Sequence, residues 1–588
     1  MIVEMQKVTV LVSSRDRDAA LGRLRDLGVV HVHAVKTPAS DDIHTLETEM
    51  SNVARALLLI GADESKRGRA DADGAPAKEI LALAQEKDAL QRELAEHQAS
   101  NRWFEAWGAV SYASLVALRK AGIAVRFYVA DKNALKKGLP EGQVVEVIKE
   151  GEQGTYLAHF SEAPGERLAF REDPMPQVEV VPMRARMGEV EAEIAEIDRK
   201  LKNLADTADA LFAYRDDLTR RLEFSTVKHG MGEDGPIAYL QGFCPTEDID
   251  AIKGAAAESG WAYAIQDPDD PGEVPTLIRT SKWVRIINPV FSFMGTVPGY
   301  QEFDISFWFL LFFSLFYAML VGDGGYGMVF LAGTLYARRK AREASSEPFV
   351  LMYLLSGATI VWGAISGTWF GMEIPEGSFL NRTIIQELSS VGGDQNFMMY
   401  LCFIIGAIQL SIAHGLIAVR NHRSPVALSQ IGWIGIIWAL FFVAGNLVLG
   451  KPFPAYGLPL LFGGVALVLL FANFQKNIIK GVLASLGDLP LSVISGFSDV
   501  VSYLRLFAVG FATYIVASSF NGMVPGANTV INGLISAIIL FLGHGINIIL
   551  AVMAVVVHGI RLNMLEFSGH LGMQWSGKPY RPFRTSEE

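Results

Sequence analysis

Residues 7–12 alternate, with Val8, Val10 and Val12 on one face, and predict a strand; a helical stretch over 16–27 and a second strand over 29–33 follow. That is a small βαβ lobe. From Ile43 the period changes: Ile43, Leu46, Met50, Val53, Leu57 and Ile60 are spaced 3, 4, 3, 4, 3, as the seam of a coiled coil requires. After breaker-rich residues 61–77 the pattern resumes at Ile80, Leu83, Leu90 and Leu94. A second seam runs Met187, Val190, Ile194, Ile197, Leu201, Leu204, Ala208, Leu211, and on to Leu218 and Leu222. Two long partner helices are expected, and an antiparallel pairing would join two lobes; the alternative is an ordinary helical bundle. Between them, strand-like 124–130, 144–149 and 155–160 predict a second α/β lobe at the far tip, roughly 60 Å from the base for about 40 helical residues. Residues 237–243 and 261–265 would complete the first lobe, and the Pro/Asp/Gly-rich run 266–276 reads as a linker.

Beyond it the pattern becomes one of long apolar runs: 305–336, 349–370, 397–419, 430–449, 457–474, 490–520 and 530–562. Runs of about 20 apolar residues cross a ~30 Å hydrocarbon core. The first run, interrupted by Gly322-Asp323-Gly324-Gly325-Tyr326-Gly327, is one span or two. The positive-inside rule decides between them. If it breaks at the glycines, the basic segments 338–342, 420–423, 476–480 and the tail with Lys578, Arg581 and Arg584 all share the side of the soluble head, while the opposite loops carry only Arg382 and Lys451. Eight spans result, with the glycines serving close packing or a turn and Asp323 capping the returning half; the rival reading of Asp323 is an ion-path carboxylate.

Composition agrees. Of 588 residues, 51% are hydrophobic and 19% charged, which excludes a disordered or purely soluble chain. The net charge of -11, with no basic block, argues against a nucleic-acid partner. Two cysteines, Cys244 and Cys402, give no disulfide framework. The first twelve residues hold no apolar signal core, so a cytoplasmic head is expected. No metal-ligand set, cofactor motif or catalytic constellation stands out. Gly572 to Lys578 mimics a phosphate loop, but Pro579 replaces the magnesium-binding hydroxyl and no strand precedes it.

The candidate chemistry lies in the last two runs. Asp499, Arg505, His544, His558 and Arg561 are ionisable there, and a charge at the bilayer centre costs roughly 2.5–3.5 kcal/mol. Arg505 stands about 15 residues from either end of its run, close to the midplane. Ser495, Ser498, Ser502 and Arg505 share one helical face, and His544, Asn547, Ala551, Ala554, His558 and Arg561 repeat the device. Each run exceeds about 45 Å as helix, which demands a steep tilt and suits a curved partner. Arg561, near one end by depth, could alternatively pair with lipid phosphate. His414 and Glu373 read as packing and interfacial residues. A fixed guanidinium would depress the pKa of an approaching carboxylate by ~1–3 units and force ion release; with no matching central carboxylate in this chain, that acid should come from another, rotating subunit.

At this point the residues resemble a family, the membrane stator subunit of V/A-type rotary ATPases, called subunit a in eukaryotes and subunit I in archaea and bacteria. The match rests on the glycine motif with Gly322, Asp323, Gly325 and Gly327, on Ser502-Tyr503-Leu504-Arg505-Leu506, and on His558-Gly559-Ile560-Arg561-Leu562-Asn563 with Glu566. The resemblance implies a two-part fold: an α+β cytoplasmic dumbbell of two α/β lobes joined by an antiparallel coiled coil, then an all-α domain of eight transmembrane helices with two long tilted C-terminal ones. The expected domains are 1–285 (proximal lobe about 1–40 and 230–275, coiled coil about 42–100 and 183–224, distal lobe about 104–182) and 286–588. It further implies that Arg505, supported by Arg561, separates two half-channels against a proteolipid rotor ring, with Asp499, Ser495, Ser498, Ser502, His544, Asn547, His558 and Glu566 as half-channel groups. The head would bind peripheral-stalk heterodimers and other subunits of the complex, with ATP chemistry left to them; both termini would be cytoplasmic, and the length resembles a prokaryotic member. Eukaryotic members carry carboxylates where Leu491 and Ala551 stand, and the usual Asp-Pro-Thr ahead of the first span reads Asp304-Ile305-Ser306. A rival from another class, a stand-alone secondary transporter, would require inverted repeats and a solute site, and a mere scaffold would tolerate neutral replacement of both arginines.

Overall fold

The structure, a computed structural model, describes all residues except 65–66, 132–142, 152–153, 164, 343, 373, 375–376, 390–392, 474–477, 526–528 and 586–588. Glu373 and residues 476–477 of the third basic segment therefore lie outside the described residues. In chain order the strands are β1 (Met5–Ser13), β2 (His31–His33), β3 (Ala124–Ala130), β4 (Val144–Gly151), β5 (Gly154–Ser161), β6 (Arg171–Glu172), β7 (Gly232–Asp234), β8 (Ile237–Pro245), β9 (Ala262–Gln266), β10 (Pro275–Thr276) and β11 (Lys578–Pro579). Among the described residues they make three sheets: β2-β8-β1-β9 with β7 beside β8, β4-β5-β3-β6, and the pair β10-β11. The alternating valines of β1 are buried, as period two requires, and the late segments 237–245 and 262–266 do complete the first sheet.

Two compact units divide the chain. One holds Leu11–Arg23, His33–Leu240 and Thr585–Glu588. Its helices Asp41–Leu59 and Ala75–Trp107 pack on Ala208–Gly230 and Val180–Leu204. The pairing is antiparallel: Lys87 Nζ meets Asp198 at 2.5 Å, Arg186 Nε meets Glu93 at 2.8 Å, and Arg184 Nε meets Asn101 at 2.8 Å. Both seams are apolar inside, with Leu90, Val190 and Ile197 in one core and Val53, Leu57, Ile80, Leu211 and Leu218 in another. The second seam is not one continuous helix, however. A 3-10 turn at Ala205–Thr207 divides it, where the Thr207 hydroxyl donates to the Leu204 carbonyl at 2.7 Å and competes with the helical ladder. Between the helices, β3 and β4 flank β5 antiparallel, and Trp103, Phe104, Trp107, Phe127 and Tyr156 form the core of that lobe.

The other unit holds Met1–Val10, Leu24–Val32 and Gln241–Arg584. Its first apolar run breaks where the glycines predict, into helices Ser306–Val321 and Gly324–Lys340 bent by 117°. Gly322 takes the left-handed conformation that ends the first arm, at φ +68°. Among the described residues five helices are long and apolar enough to span a bilayer: Glu347–Ser366, Gln395–Arg420, Val426–Leu449, Leu489–Gly522 and Val530–His570; the bent pair counted as one makes six. The expected eight is reached only by counting each arm of that pair and Gly457–Phe471 as spans, and these have 16, 17 and 15 residues, short of the ~20 that a full crossing takes. Nor are the last two runs regular helices. The first is interrupted at Tyr503, and the second widens into π turns at Val555–Gly559 and Leu562–Phe567. The core of the unit is phenylalanine-rich, with Phe309, Phe312, Phe313 and Phe316 packed with Phe403, Phe441, Tyr503 and Phe567.

The tail returns to the first lobe: Tyr580 donates to the Val29 carbonyl at 2.7 Å and the Phe583 amide to Val30 at 2.8 Å. At Gly577 a Cβ would stand 2.1 Å from the Pro298 carbonyl oxygen. At that point the phosphate-loop mimic is packed against the chain at Pro298.

Candidate functional site

Arg505 opens the helix Leu504–Gly522, immediately after the interruption at Tyr503, and the bend turns its side chain onto its own preceding turn. Nε donates to the Ser502 carbonyl at 2.9 Å, and Nη2 is ion-paired with Glu566 Oε1. Glu566 lies 61 positions away in the second π turn. Such turns insert an extra residue per turn and are common at functional sites, and this one carries a buried carboxylate inward while Arg561, just before it, stays half exposed with Nε 3.7 Å from the same Oε1. Among the described residues Glu566 Oε2 is buried with no hydrogen-bond partner, the hydrogen bonds of Arg505 run from Nε and Nη2 and not from Nη1, and the Arg505 side chain remains 23% exposed. A guanidinium is thus held by two of its nitrogens with the third free, beside a carboxylate with one oxygen free.

Behind it runs a fully buried polar file. Tyr503 donates to Gln409 Oε1 at 2.8 Å, Gln409 Nε2 donates to Asn563 Oδ1 at 2.9 Å, and Asn563 donates back to the Gly559 carbonyl, freed by the π turn, at 3.3 Å. These bonds fix the approach of the two long helices at the level of the charges.

Two further polar systems lie at different positions along the same helices. In the first, Asp323 Oδ1 accepts from the amides of Gly325 (2.8 Å), Tyr326 (3.1 Å) and Phe370 (2.9 Å), and Oδ2 from Gly371 at 2.9 Å. It is the cap the sequence predicts, extended to a second loop. Gly325 and Gly327 are needed for close approach, since a Cβ would come within 2.5 Å of the Phe370 ring and 3.0 Å of Ile360. The turn so held presents Tyr326, whose hydroxyl meets His544 Nδ1 at 2.8 Å and accepts from Asn547 at 2.9 Å; His544 Nε2 reaches Asn521 at 3.2 Å. In the second, Asp499 Oδ2 meets His570 Nε2 at 3.0 Å, His570 Nδ1 meets His414 Nε2 at 2.9 Å, and His414 Nδ1 meets Gln430 Oε1 at 2.7 Å. A cavity of about 360 Å³ opens there, lined in part by Leu491, Ser495 and Asp499.

The structure therefore brings Arg505, Ser502, Glu566 and Arg561 together, groups His544 and Asn547 with Tyr326, and sets Asp499 and Ser495 on a cavity. Ser498 is exposed away from these contacts, and His558 Nδ1 is buried without a partner among the described residues. Ala551 is buried. Sequence reasoning missed Tyr326, Gln409, Asn521, Gln430 and His570. Tyr326 sits inside the glycine motif and was open to notice, but Gln409 and Gln430 are single polar residues in apolar runs, Asn521 and His570 lie just past the ends of theirs, and only the fold supplies their neighbours.

No protein-family model matches the chain. It is 32% identical to the V-type ATP synthase subunit I of Borreliella burgdorferi, covering 100% of both chains, and 28% identical to V-type ATP synthase subunit I 1 of Treponema pallidum, covering 99% of this chain and 100% of that one. The A-type ATP synthase subunit I of Methanocaldococcus jannaschii is 25% identical, over 72% of this chain and 67% of its own. A crystal structure of the cytoplasmic N-terminal domain of subunit I, homolog of subunit a, of V-ATPase aligns with 44% of this chain and 99% of its own at 18% identity and a TM-score of 0.25, too low to argue a shared fold. Full-length identity to relatives of that name agrees with the motifs around Arg505 and Arg561: the chain belongs to the V/A-type ATP synthase subunit I family and is a membrane stator subunit of such a complex, working with its other subunits.

Proposed function

We propose that residues 286–588 form two offset ion paths that meet at Arg505, against a ring of proteolipid subunits, and that residues 1–285 form a two-lobed cytoplasmic stator joined by the coiled coil and bound by peripheral-stalk heterodimers. The observation that carries the reading is the free Nη1 of Arg505. Its other nitrogens are committed to Ser502 and Glu566, so the guanidinium is held rigid while one edge stays open to a carboxylate from outside the chain. Such an acid, arriving with its ion, would be driven to ionise beside the fixed charge and would release that ion; the charge also bars direct passage from one path to the other. The Asp499 cavity and the His544–Tyr326–Asn547 group are the two paths, because Asp499 precedes Arg505 on the shared run whereas Asn547 packs onto Thr513 beyond it, at 2.8 Å. Eight spans, with the chain ends and the basic segments on the cytoplasmic side, would suit this arrangement; they require the two bent arms and the short helix Gly457–Phe471, about 22 to 26 Å long at 1.5 Å per residue, to cross where the ~30 Å core is locally thinned. The long exposed apolar face of Val530–Ala554, with Phe541, Ile549 and Met553 outward, is where the ring and the membrane lipid would lie.

The test is ATP-driven ion uptake by the intact complex in proteoliposomes. Arg505→Ala should abolish uptake while the complex assembles and hydrolyses ATP; uptake at the normal rate per ATP would remove the basis of the reading. Arg505→Lys keeps the charge without the planar fork and should retain a small fraction.

A further inference from the structure

The hydrogens of the Asp499 cavity can be counted. Ser429 donates its one hydroxyl proton to the Val426 carbonyl at 2.7 Å, so toward Gln430 Nε2, 3.5 Å away, it can only accept. That turns Gln430 Oε1 toward His414, and His414 Nδ1 must carry a hydrogen to bridge the 2.7 Å between them. Stacking on Trp433, with the rings 10° from parallel, keeps the His414 imidazole in this orientation. His414 Nε2 and His570 Nδ1 stand 2.9 Å apart and share a second hydrogen. His570 Nε2 and Asp499 Oδ2, at 3.0 Å, need a third. Two neutral imidazoles bring only two hydrogens. The third is an additional proton, resting on the Asp499 carboxyl or making one imidazole a cation, and when it leaves one of the three bonds must be given up.

The groups facing His570 are thus a carboxylate on one side and a second imidazole on the other. The cavity is lined by Ser492 and Ser495 besides these three, and is large enough for several waters. Asp499 lies six positions before Arg505, about 9 Å along a helix axis.

We infer that His570 and His414, hydrogen-bonded in series behind Asp499, hold one exchangeable proton in the cavity on the Asp499 side of Arg505, and that the ion this path handles is a proton. This rests on the reading above that the cavity is one of the two access paths. The transfer is a proton shift alone. The Asp499 O–H bond breaks as the His570 Nε2–H bond forms; His570 Nδ1–H remains the donor to His414 Nε2, and the positive charge rests on His570 beside the Asp499 carboxylate. Reversal returns the proton to Asp499 and to water in the cavity. His570 is a positioning and proton-holding residue; the acid that Arg505 meets is not part of this chain.

The test uses the intact complex in proteoliposomes, with ATP-driven proton and sodium uptake measured separately. His570→Gln keeps a hydrogen-bonding side chain that cannot take the extra proton, and His570→Ala leaves a hole of imidazole size. Both should lower proton uptake per ATP, by on the order of 100-fold if the relay supplies the proton in each turn, and added imidazole should restore uptake in His570→Ala alone. Normal proton uptake by both variants, no rescue of His570→Ala, or coupled sodium uptake by the unaltered complex overturns the inference. Ser495→Cys treated with a charged methanethiosulfonate reagent separates this from the underlying reading. If the reagent blocks uptake while His570→Gln pumps normally, the path stands and the relay is wrong; if the reagent has no effect, the path itself is wrong and the relay falls with it.

Discussion

Glu566 meets Arg505 and Arg561 with one and the same oxygen, yet the two contacts differ in kind. Glu566 is 4% exposed and Arg505 23%, whereas Arg561 is 54% exposed and farther away. Breaking a buried ion pair by removing one partner costs about 3–5 kcal/mol, because the other charge is left uncompensated; an exposed pair contributes about 0–1 kcal/mol. Glu566→Gln, which keeps shape and removes charge, should therefore lower the thermal stability of the membrane part well beyond what Arg561→Ala does, read as melting temperatures of the two variants in the same detergent. A larger loss for Arg561→Ala would mean that the arginines have been ranked the wrong way round. At this scale the sequence was informative about which residues are unusual, since a charge in an apolar run needs a reason, and it was silent about their partners. Glu566 and Arg505 come together only through a π turn and a break at Tyr503, and periodicity read at 3.6 residues per turn has no place for either. His570 pairs with His414 across 156 positions, and no spacing announces that.

Elements were more legible where one physical rule acts alone. The 3, 4 spacing fixed both seams: Val53, Leu57, Ile80, Leu90, Val190, Ile197, Leu211 and Leu218 are buried, and Leu46, Ile60, Leu83, Leu94, Ile194, Leu201 and Leu204 are partly buried against them. What the spacing could not show is the turn at Ala205–Thr207, because a local hydroxyl contact can interrupt a helix without disturbing the hydrophobic period. Outside the seam, Arg186 draws Glu93, Glu189 and Glu193 together. Its hydrogen bond to Glu93 holds that carboxyl below the ordinary carboxylate range. A lowered acid stabilises the folded coil above its unfolded value, about pH 4.3, and that contribution disappears as the pH falls through the lowered folded value. Glu93→Gln never has it. Hydrogen exchange of the coil amides, compared between the unaltered chain and Glu93→Gln at each pH, should differ at pH 6 and converge toward pH 3; a gap that widened on acidification would show that the pair does not carry the effect.

For the whole molecule the decisive quantity is the side of the membrane on which each loop lies. In the proposed eight-span order the bend of 117° at Gly322-Asp323 returns the chain, so that the basic loop after Lys340 would share a side with the chain before Ser306, and the loops would then alternate through Glu347–Ser366, Gln395–Arg420 and Val426–Leu449. Three intervening spans put Lys451 opposite Lys340. The distribution of cations agrees with that order, because lysines and arginines collect on the cytoplasmic side, and Arg338, Arg339 and Lys340 close one returning helix while Arg420 closes another. Lys340→Cys and Lys451→Cys, each in a chain otherwise lacking cysteine, should react with an impermeant maleimide from opposite faces of sealed vesicles, with Lys340→Cys on the face that exposes the soluble head. Labelling of both from one face would mean that one of the three intermediate helices does not cross. The two polar systems could then no longer open to opposite sides, and Arg505 would have nothing to separate.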